Sequence, residues 1–270
     1  PGSTLQLGNG GTSGSVSSNG IIDDAGTLVF NRSDVVTRGG RIGGTGGVVL
    51  TGGGTLVYTT TNDYTGGTTI TGGTLQVGIG GTSGSLLGNL ANNGLLVLNR
   101  ADGLTLSGAI SGSGAVNLTG GGTFVFAGNN GYTGLTTIGA GNVLQLGNGG
   151  TSGAVVGNVA NSGLLVFNRS DAFTYSGVVS GAGGVQINSG NLTYTAAQLY
   201  TGGTTIAAGG TLTLSGAFAS LTGAIVDNGQ LVFNRTTTYT FANPVSGTGG
   251  VNVAGGTVIV TGSNTYSGGT

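Results

Sequence analysis
The chain of 270 residues contains no cysteine, methionine, tryptophan, histidine, lysine or glutamate. Each absence excludes something. Without cysteine there are no disulfide staples, although that alone does not fix a compartment. Without histidine, cysteine, lysine or glutamate, most acid–base and nucleophile sets cannot be assembled. A metal site would have to be built from aspartate alone, and no cofactor is called for. Charge is scarce too: six basic residues, all arginine, and seven acidic ones, all aspartate, leave a net charge of −1. That gives no basic footprint for nucleic acid. No apolar run approaches the ~20 residues of a membrane-spanning helix. With no methionine and no recognisable signal peptide, the chain reads as a piece of a longer or processed protein.

What is abundant is glycine, at 64 residues, within a chain that is 37% hydrophobic. Glycine costs a helix roughly 1 kcal/mol per site relative to alanine. Thr, Val, Ile, Tyr and Phe favour strands, while Gly, Asn and Asp favour turns. An all-β fold follows. Hydrophobicity is too high and net charge too low for disorder.

The sequence is repetitive. "LVFNRSD" occurs at Leu28–Asp34 and again at Leu165–Asp171, with variants beginning at Leu96 and Leu231. The tyrosines of "YTGGTTI" and its variants, Tyr64, Tyr132, Tyr200 and Tyr266, are 68, 68 and 66 residues apart. The unit of about 68 residues divides the chain into copies at approximately 5–74, 75–143, 144–211 and 212–270, within one solenoid segment. A shorter phrase, apolar-x-apolar after a small residue and Thr, recurs three times per unit. Its first residues are Leu5, Leu28, Leu56, Leu75, Leu96, Phe124, Leu144, Leu165, Leu192, Leu212, Leu231 and Val258. A spacing of twenty-odd residues is too short for a domain and suits one coil of a β-solenoid. The expectation is about 12 coils, three per 68-residue repeat, with all twelve phrases in one stacked row and their first and third residues inward. An antiparallel barrel or sandwich would need a turn every 8–12 residues without the three-part period.

The residues Asn62–Gly78, "NDYTGGTTITGGTLQVG", and Asn92–Gly114 resemble the passenger-associated repeat of bacterial autotransporters. The resemblance covers nearly the whole chain. It implies a right-handed parallel β-helix on or outside a Gram-negative-type cell, export through the outer membrane, and a stalk or adhesive role. The repeat is scaffold in that family and names no ligand.

Two groups of residues are candidates for function. The first is the recurring corner of Asn31, Arg32 and Asp34, then Asn99, Arg100 and Asp102, then Asn168, Arg169 and Asp171, and finally Asn234 and Arg235 without an aspartate. One reading is an arginine array about 14 Å apart, suited to anionic glycan. The favoured reading is a solvated corner whose charges discourage off-register stacking, in which Arg169→Ala costs under about 1 kcal/mol. The second group is Arg38 and Arg41 in "TRGGRIGG". Alignment of the copies places Arg38 opposite Leu106, Tyr175 and Phe241, and Arg41 opposite Ala109, Val178 and Pro244. Outward drift is the favoured account, with contact to Asp23, Asp24 or a partner chain as the functional one. Asp23 and Asp24 are the only adjacent carboxyl pair. Neighbours on a strand face opposite ways, which weakens the glycosidase reading. No Gly-x-Gly-x-x-Gly match opens a helix, and the calcium nonapeptide has Thr12, Thr82 and Thr151 where it needs Asp. The Asn-x-Ser/Thr sequons occur near chance frequency and are assigned no modification. The chain is therefore expected to be a non-enzymatic extracellular stalk or fibre module. The alternatives are a glycan- or surface-binding adhesin and a polysaccharide-active β-helix enzyme. Expected partners are further copies of itself, end to end and also laterally through Val29, Val57, Val97 and their equivalents, with surface glycans as a second candidate.

Overall fold
The computed structural model describes residues 2–270, and among them it contains strands and turns but no helix. Every strand pair is parallel, and the turns stack as a β-solenoid of about 13 turns. At the usual spacing between neighbouring strands that is a rod on the order of 60 Å long. Each turn carries three sides. A first side runs through Thr4–Leu7, Thr27–Phe30, Gly47–Leu50, Thr68–Ile70 and Leu90–Asn92. A second runs from Val35–Arg38 through Thr55–Tyr58, Thr74–Val77 and Leu95–Asn99 onward to Leu199–Tyr200. A third includes Gly103–Leu106, Thr123–Phe126 and Val143–Leu146 and continues to Val245–Ser246.

Paired residues in adjacent turns lie 20 apart from Val35 to Thr55, 19 from Thr55 to Thr74 and 21 from Thr74 to Leu95. The turn is therefore about 20 residues long, and a 68-residue unit makes three turns plus one more side. The consequence is visible in equivalent residues. Phe30 stands on the first side, Leu98 on the second and Phe167 on the third, and Phe233 returns to the column that contains Tyr175, Tyr194 and Leu214. Each copy is rotated one side further than the copy before it.

This corrects the single-row expectation. Leu28 pairs with Leu5 and Val48 on one side, whereas Leu56 pairs with Val36 and Leu75 on another. The twelve phrases fall into successive rows of two, three, three, three and one, and each long step between rows is a turn plus a side. The columns are completed by less conspicuous strands such as Gly47–Leu50 and Thr68–Ile70. The inward assignment of the first and third residues holds: Leu28, Phe30, Leu96, Leu98, Leu165 and Phe167 are all buried in one continuous core. The middle residues Val29, Val97, Val125 and Val232 are consequently shared among three sides rather than gathered into one stripe.

Two further phrases acquire physical reasons. In "YTGGTT" the tyrosine is buried, and its hydroxyl is met by the threonine four residues on: 2.6 Å for Tyr64–Thr68, 2.5 Å for Tyr132–Thr136 and 2.6 Å for Tyr200–Thr204. The clip spans a corner and satisfies two polar groups that burial would otherwise strand. Two residues before each tyrosine, an amide side chain accepts a backbone N–H from the preceding turn: Asn62 from Ile42, Asn130 from Ile110 and Gln198 from Val179. Tyr132→Phe removes one hydroxyl and leaves that of Thr136 buried without its partner. It should lower the unfolding free energy by about 1–2 kcal/mol. A urea-unfolding midpoint equal to that of the unaltered chain would show that the clip contributes nothing.

Candidate functional site
The recurring arginines lie inside the wall. Arg32, Arg100, Arg169 and Arg235 are 5–8% exposed. Arg32 and Arg100 follow a strand, while Arg169 and Arg235 sit at the register shift inside the long strands Leu164–Tyr175 and Gln230–Phe241; the first three arginines lie beside the loops Gly8–Gly14, Gly78–Gly84 and Gly147–Gly153 of the previous turn. The neck of the first loop is so close that a Cβ on Gly14 would lie 2.4 Å from the nitrogen of Gly8, and both glycines have positive φ. Only glycine accepts that combination. The loop is then tied down from the next turn. The carbonyl of Asn31 accepts the N–H of Gly10 at 2.8 Å, and the same bond recurs at Asn99 and Asn168 with Gly80 and Gly149. Arg32 donates Nη1 to the Gly14 carbonyl and Nη2 to the Thr12 carbonyl, both at 2.6 Å. Its Nε and Nη2 also donate to the carboxylate of Asp34 at 2.9 and 2.7 Å. Arg100 repeats the pattern with Gly84, Thr82 and Asp102, and Arg169 with Gly153, Thr151 and Asp171.

The solvated-corner expectation is therefore corrected: the guanidinium is an internal brace that fills the donor-poor mouth of a loop. Nor do the arginines make a straight array, because the rotation of the repeat puts Arg32, Arg100 and Arg169 on three different corners. The bond from the guanidinium holds Asp34, Asp102 and Asp171 below the ordinary carboxylate range. Their contribution is present above the unfolded-state value and is lost as pH falls through the lowered folded-state value. In the fourth copy Thr237 stands where the aspartate would be, and the Nε of Arg235 is buried without a partner. The ring of Tyr239, 4.4 Å from the guanidinium carbon, covers that arginine instead.

The first copy departs from the others. Arg38 points inward and is 1% exposed, so it does not present itself to a partner chain. Its Nη1 donates to the Ser17 carbonyl and its Nη2 to the Gly20 carbonyl at 2.6 Å, while Nε has no partner. Burial pushes its pKa down. Arg41 is exposed and bridges Asp23 at 3.0 Å and Asp63 at 2.7 Å. Asp24 has a different task. Its Oδ1 accepts the N–H of Gly26 at 2.9 Å, as Asn92 and Asn161 accept those of Gly94 and Gly163. The adjacent carboxyls thus serve an exposed ion pair and a turn, not two walls of a cleft. No group of three metal-capable side chains occurs among the described residues.

Asn92 and Asn161 also donate Nδ2 to carbonyls of the next turn, Ala115 and Gly184, at 2.9 and 2.8 Å. Asp227 occupies the same turn in the fourth copy, accepts the N–H of Gly229, and has no hydrogen to donate from Oδ2, which is buried and unpaired. Burial raises its pKa above the usual carboxylate value.

Three segments, residues 48–77, 116–146 and 185–214, match the passenger-associated transport repeat. They begin on the second or third side of a turn, or on the first, in step with the rotation of the copies. Over 84 residues the chain is 45% identical to the adhesin BmaC autotransporter of Brucella suis biovar 1 (strain 1330), a match that covers 29% of this chain and 2% of that protein. The chain therefore spans a small fraction of the curated relative it matches. No solved structure matches it.

Arg169→Ala should cost about 2 kcal/mol or more, because two loop carbonyls lose charged donors, approaching the roughly 3–5 kcal/mol expected for Phe167→Ala. Thr237→Asp should stabilise the fourth corner by supplying the missing acceptor, and chemical denaturation of the three variants gives the order. Asp227→Asn should raise the melting temperature at pH 7. Because the folded-state pKa of Asp227 is raised, the neutral carboxyl is favoured on folding. That contribution is present at acid pH and lost as pH rises through the folded-state value. The advantage of the variant should therefore shrink as the melt is repeated toward pH 4, and a constant difference across that range would contradict the assignment.

Proposed function
We propose, from the premise that the chain carries passenger-associated transport repeats, that it is a segment of the rod of an exported passenger and works as a stalk. The repeat and the adhesin relative place it at the cell surface or outside the cell. The observation that carries the structural reading is the unbroken stack of three-sided turns. Its polar groups are spent on closing the wall: arginines on loop carbonyls, tyrosines on threonines, and amides on the N–H groups of neighbouring turns. The same economy argues for a non-enzymatic role, since the aspartates are committed to arginines and turns. A chain without cysteine also suits export in an unfolded state followed by folding outside the cell. Parallel turns leave an open strand edge at any uncovered end of such a stack, so end-to-end association belongs to the same reading.

A second reading, adhesion, is favoured by the name of the relative and by the loop tips. The first and third loops are identical, Gly8–Gly14 and Gly147–Gly153, but the second carries Ile79 where they carry Asn9 and Asn148, and the shorter fourth loop carries Phe218 between the two carbonyls that Arg235 meets; Ile79 is 65% and Phe218 80% exposed. Loops on a rigid scaffold are where contact residues are commonly carried.

Small-angle scattering of the isolated segment should give a rod near 60 Å, growing by about 4.8 Å for each added turn in longer versions. A globular profile would overturn the stalk. Bacterial cells displaying the segment ahead of an outer-membrane barrel should adhere to a glycan-coated surface only if the loop tips bind. Adhesion unchanged by replacing Ile79 and Phe218 with Asn would leave the stalk role alone. Light scattering that stays flat for days at high concentration would count against end-to-end growth.

A further inference from the structure
The fourth corner brace is incomplete. In the first three copies the guanidinium holds two loop carbonyls with Nη1 and Nη2, and grips a carboxylate with Nε and Nη2. That second grip measures 2.9 and 2.7 Å for Arg32–Asp34, 2.7 and 2.7 Å for Arg100–Asp102, and 2.9 and 2.8 Å for Arg169–Asp171. Arg235 keeps the loop contacts, to the carbonyls of Ala219 and Ala217, and lacks the other. Thr237 stands where the aspartate would be, and among the described residues no carboxylate lies within ion-pair distance of Arg235. Chain is packed on both sides of it, the Ala217–Ala219 loop before and Gly255 and Gly256 after, so the deficit belongs to the sequence of this copy. Arg235 is 5% exposed, and its Nε–H is buried without an acceptor.

The sister copies define what this edge can take. Nε–H and one Nη2–H point the same way, the arrangement that engages both oxygens of a carboxylate at once. A buried cation without a counter-charge is costly, so a carboxylate arriving from outside gains what the missing aspartate would have supplied. The place is reached from solvent: the side chains of Asp34, Asp102 and Asp171 are 33–38% exposed, and Thr237 is exposed. Nor does the ring of Tyr239, 4.4 Å from the guanidinium carbon, close it. In the third copy Phe173 covers Arg169 in the same way, at 4.9 Å, while Asp171 holds the edge. The ring uses the face of the guanidinium and the carboxylate its rim. Beside this corner projects Phe218, 80% exposed and held between the two alanines whose carbonyls Arg235 meets. An aromatic ring presented to water offers a broad apolar surface, of the kind against which the C–H face of a sugar packs.

We propose that the fourth corner binds an acidic sugar, a uronate, whose carboxylate meets Nε and Nη2 of Arg235 and whose ring lies against Phe218. The sugar half of the proposal rests on the adhesive reading of the loop tips and gives it a ligand class. The carboxylate half stands on the geometry of Arg235 alone. The first three corners carry their own carboxylate and are closed to such a ligand.

The test is nuclear magnetic resonance of the arginine Nε–H groups in the isotope-labelled chain, titrated with sodium acetate and with sodium glucuronate. Both should move the signal of Arg235, with half-saturation in the millimolar range, and leave those of Arg32, Arg100 and Arg169 in place. Glucuronate should act at concentrations about tenfold lower than acetate, the factor that corresponds to about 1.4 kcal/mol of ring contact. Phe218→Ala should remove that advantage and leave the acetate response unchanged. Thr237→Asp, which supplies the carboxylate from within, should abolish both responses. An unmoved Arg235 signal, an equal movement with sodium chloride, or a response retained in Thr237→Asp would overturn the site. Equal potency of the two carboxylates, or an advantage that survives Phe218→Ala, would overturn the sugar. Should Thr237→Asp not fold, Arg235→Lys identifies the signal, and its contrast with the three braced arginines decides. Because the sugar is free in solution, failure of the site is distinguishable from failure of cells to adhere.

Discussion

Parallel pairing between turns is the constraint to which everything else in this molecule answers. A residue must meet its counterpart one turn later, so the length of the turn cannot wander far from 20 residues without breaking the ladder. Extra residues are tolerated only where they can leave the wall. The steps of 23 residues, from Thr4 to Thr27 and from Thr136 to Val159, span the corner loops. Those loops absorb surplus length, and the glycine necks at Gly8 and Gly14 let the chain leave and rejoin at nearly the same point.

A loop that leaves the wall carries unpaired carbonyls, and a thin solenoid has no second layer to satisfy them. The chain answers with arginine. Its planar fork reaches two loop carbonyls and one carboxylate at once, which a lysine in the same place could not do. The scarcity of charge in the composition is the other side of this. Four of six arginines are braces, and three of seven aspartates are their acceptors. Where the aspartate is missing, at Thr237, an orphaned Nε is left behind. Where asparagine has become aspartate, at Asp227, an orphaned Oδ2 is left behind. The defects of individual copies thus identify the rule that the other copies obey.

Much of this was legible in the sequence and some of it was not. Glycine content, strand-forming residues and the 68-residue period lead to a parallel solenoid, and the apolar-x-apolar phrase marks the inward residues. Leu28, Phe30, Leu165 and Phe167 are where that phrase puts them. The rotation of the copies was hidden because strands such as Thr68–Ile70 are short and half polar, so their columns carry no conspicuous phrase. The long steps among the anchors held the information, as a turn plus a side. The burial of Arg32 and its equivalents was hidden for a different reason. Its main acceptors are backbone carbonyls of Thr12 and Gly14, and a backbone acceptor has no letter of its own. Arg38 was noticeable only as a mismatch between copies, and its inward direction needed coordinates.

The advance of one side per repeat also bears on how such a rod changes over generations. Tandem units of this kind are gained and lost by unequal exchange between copies. Here the loss of a single unit would not merely shorten the rod; it would turn everything beyond the deletion by a third of a revolution about the long axis. Whatever the far end carries would then face a different neighbour. Loss of three units would shorten the rod and leave that direction unchanged. Copy number in this architecture sets a heading as well as a length.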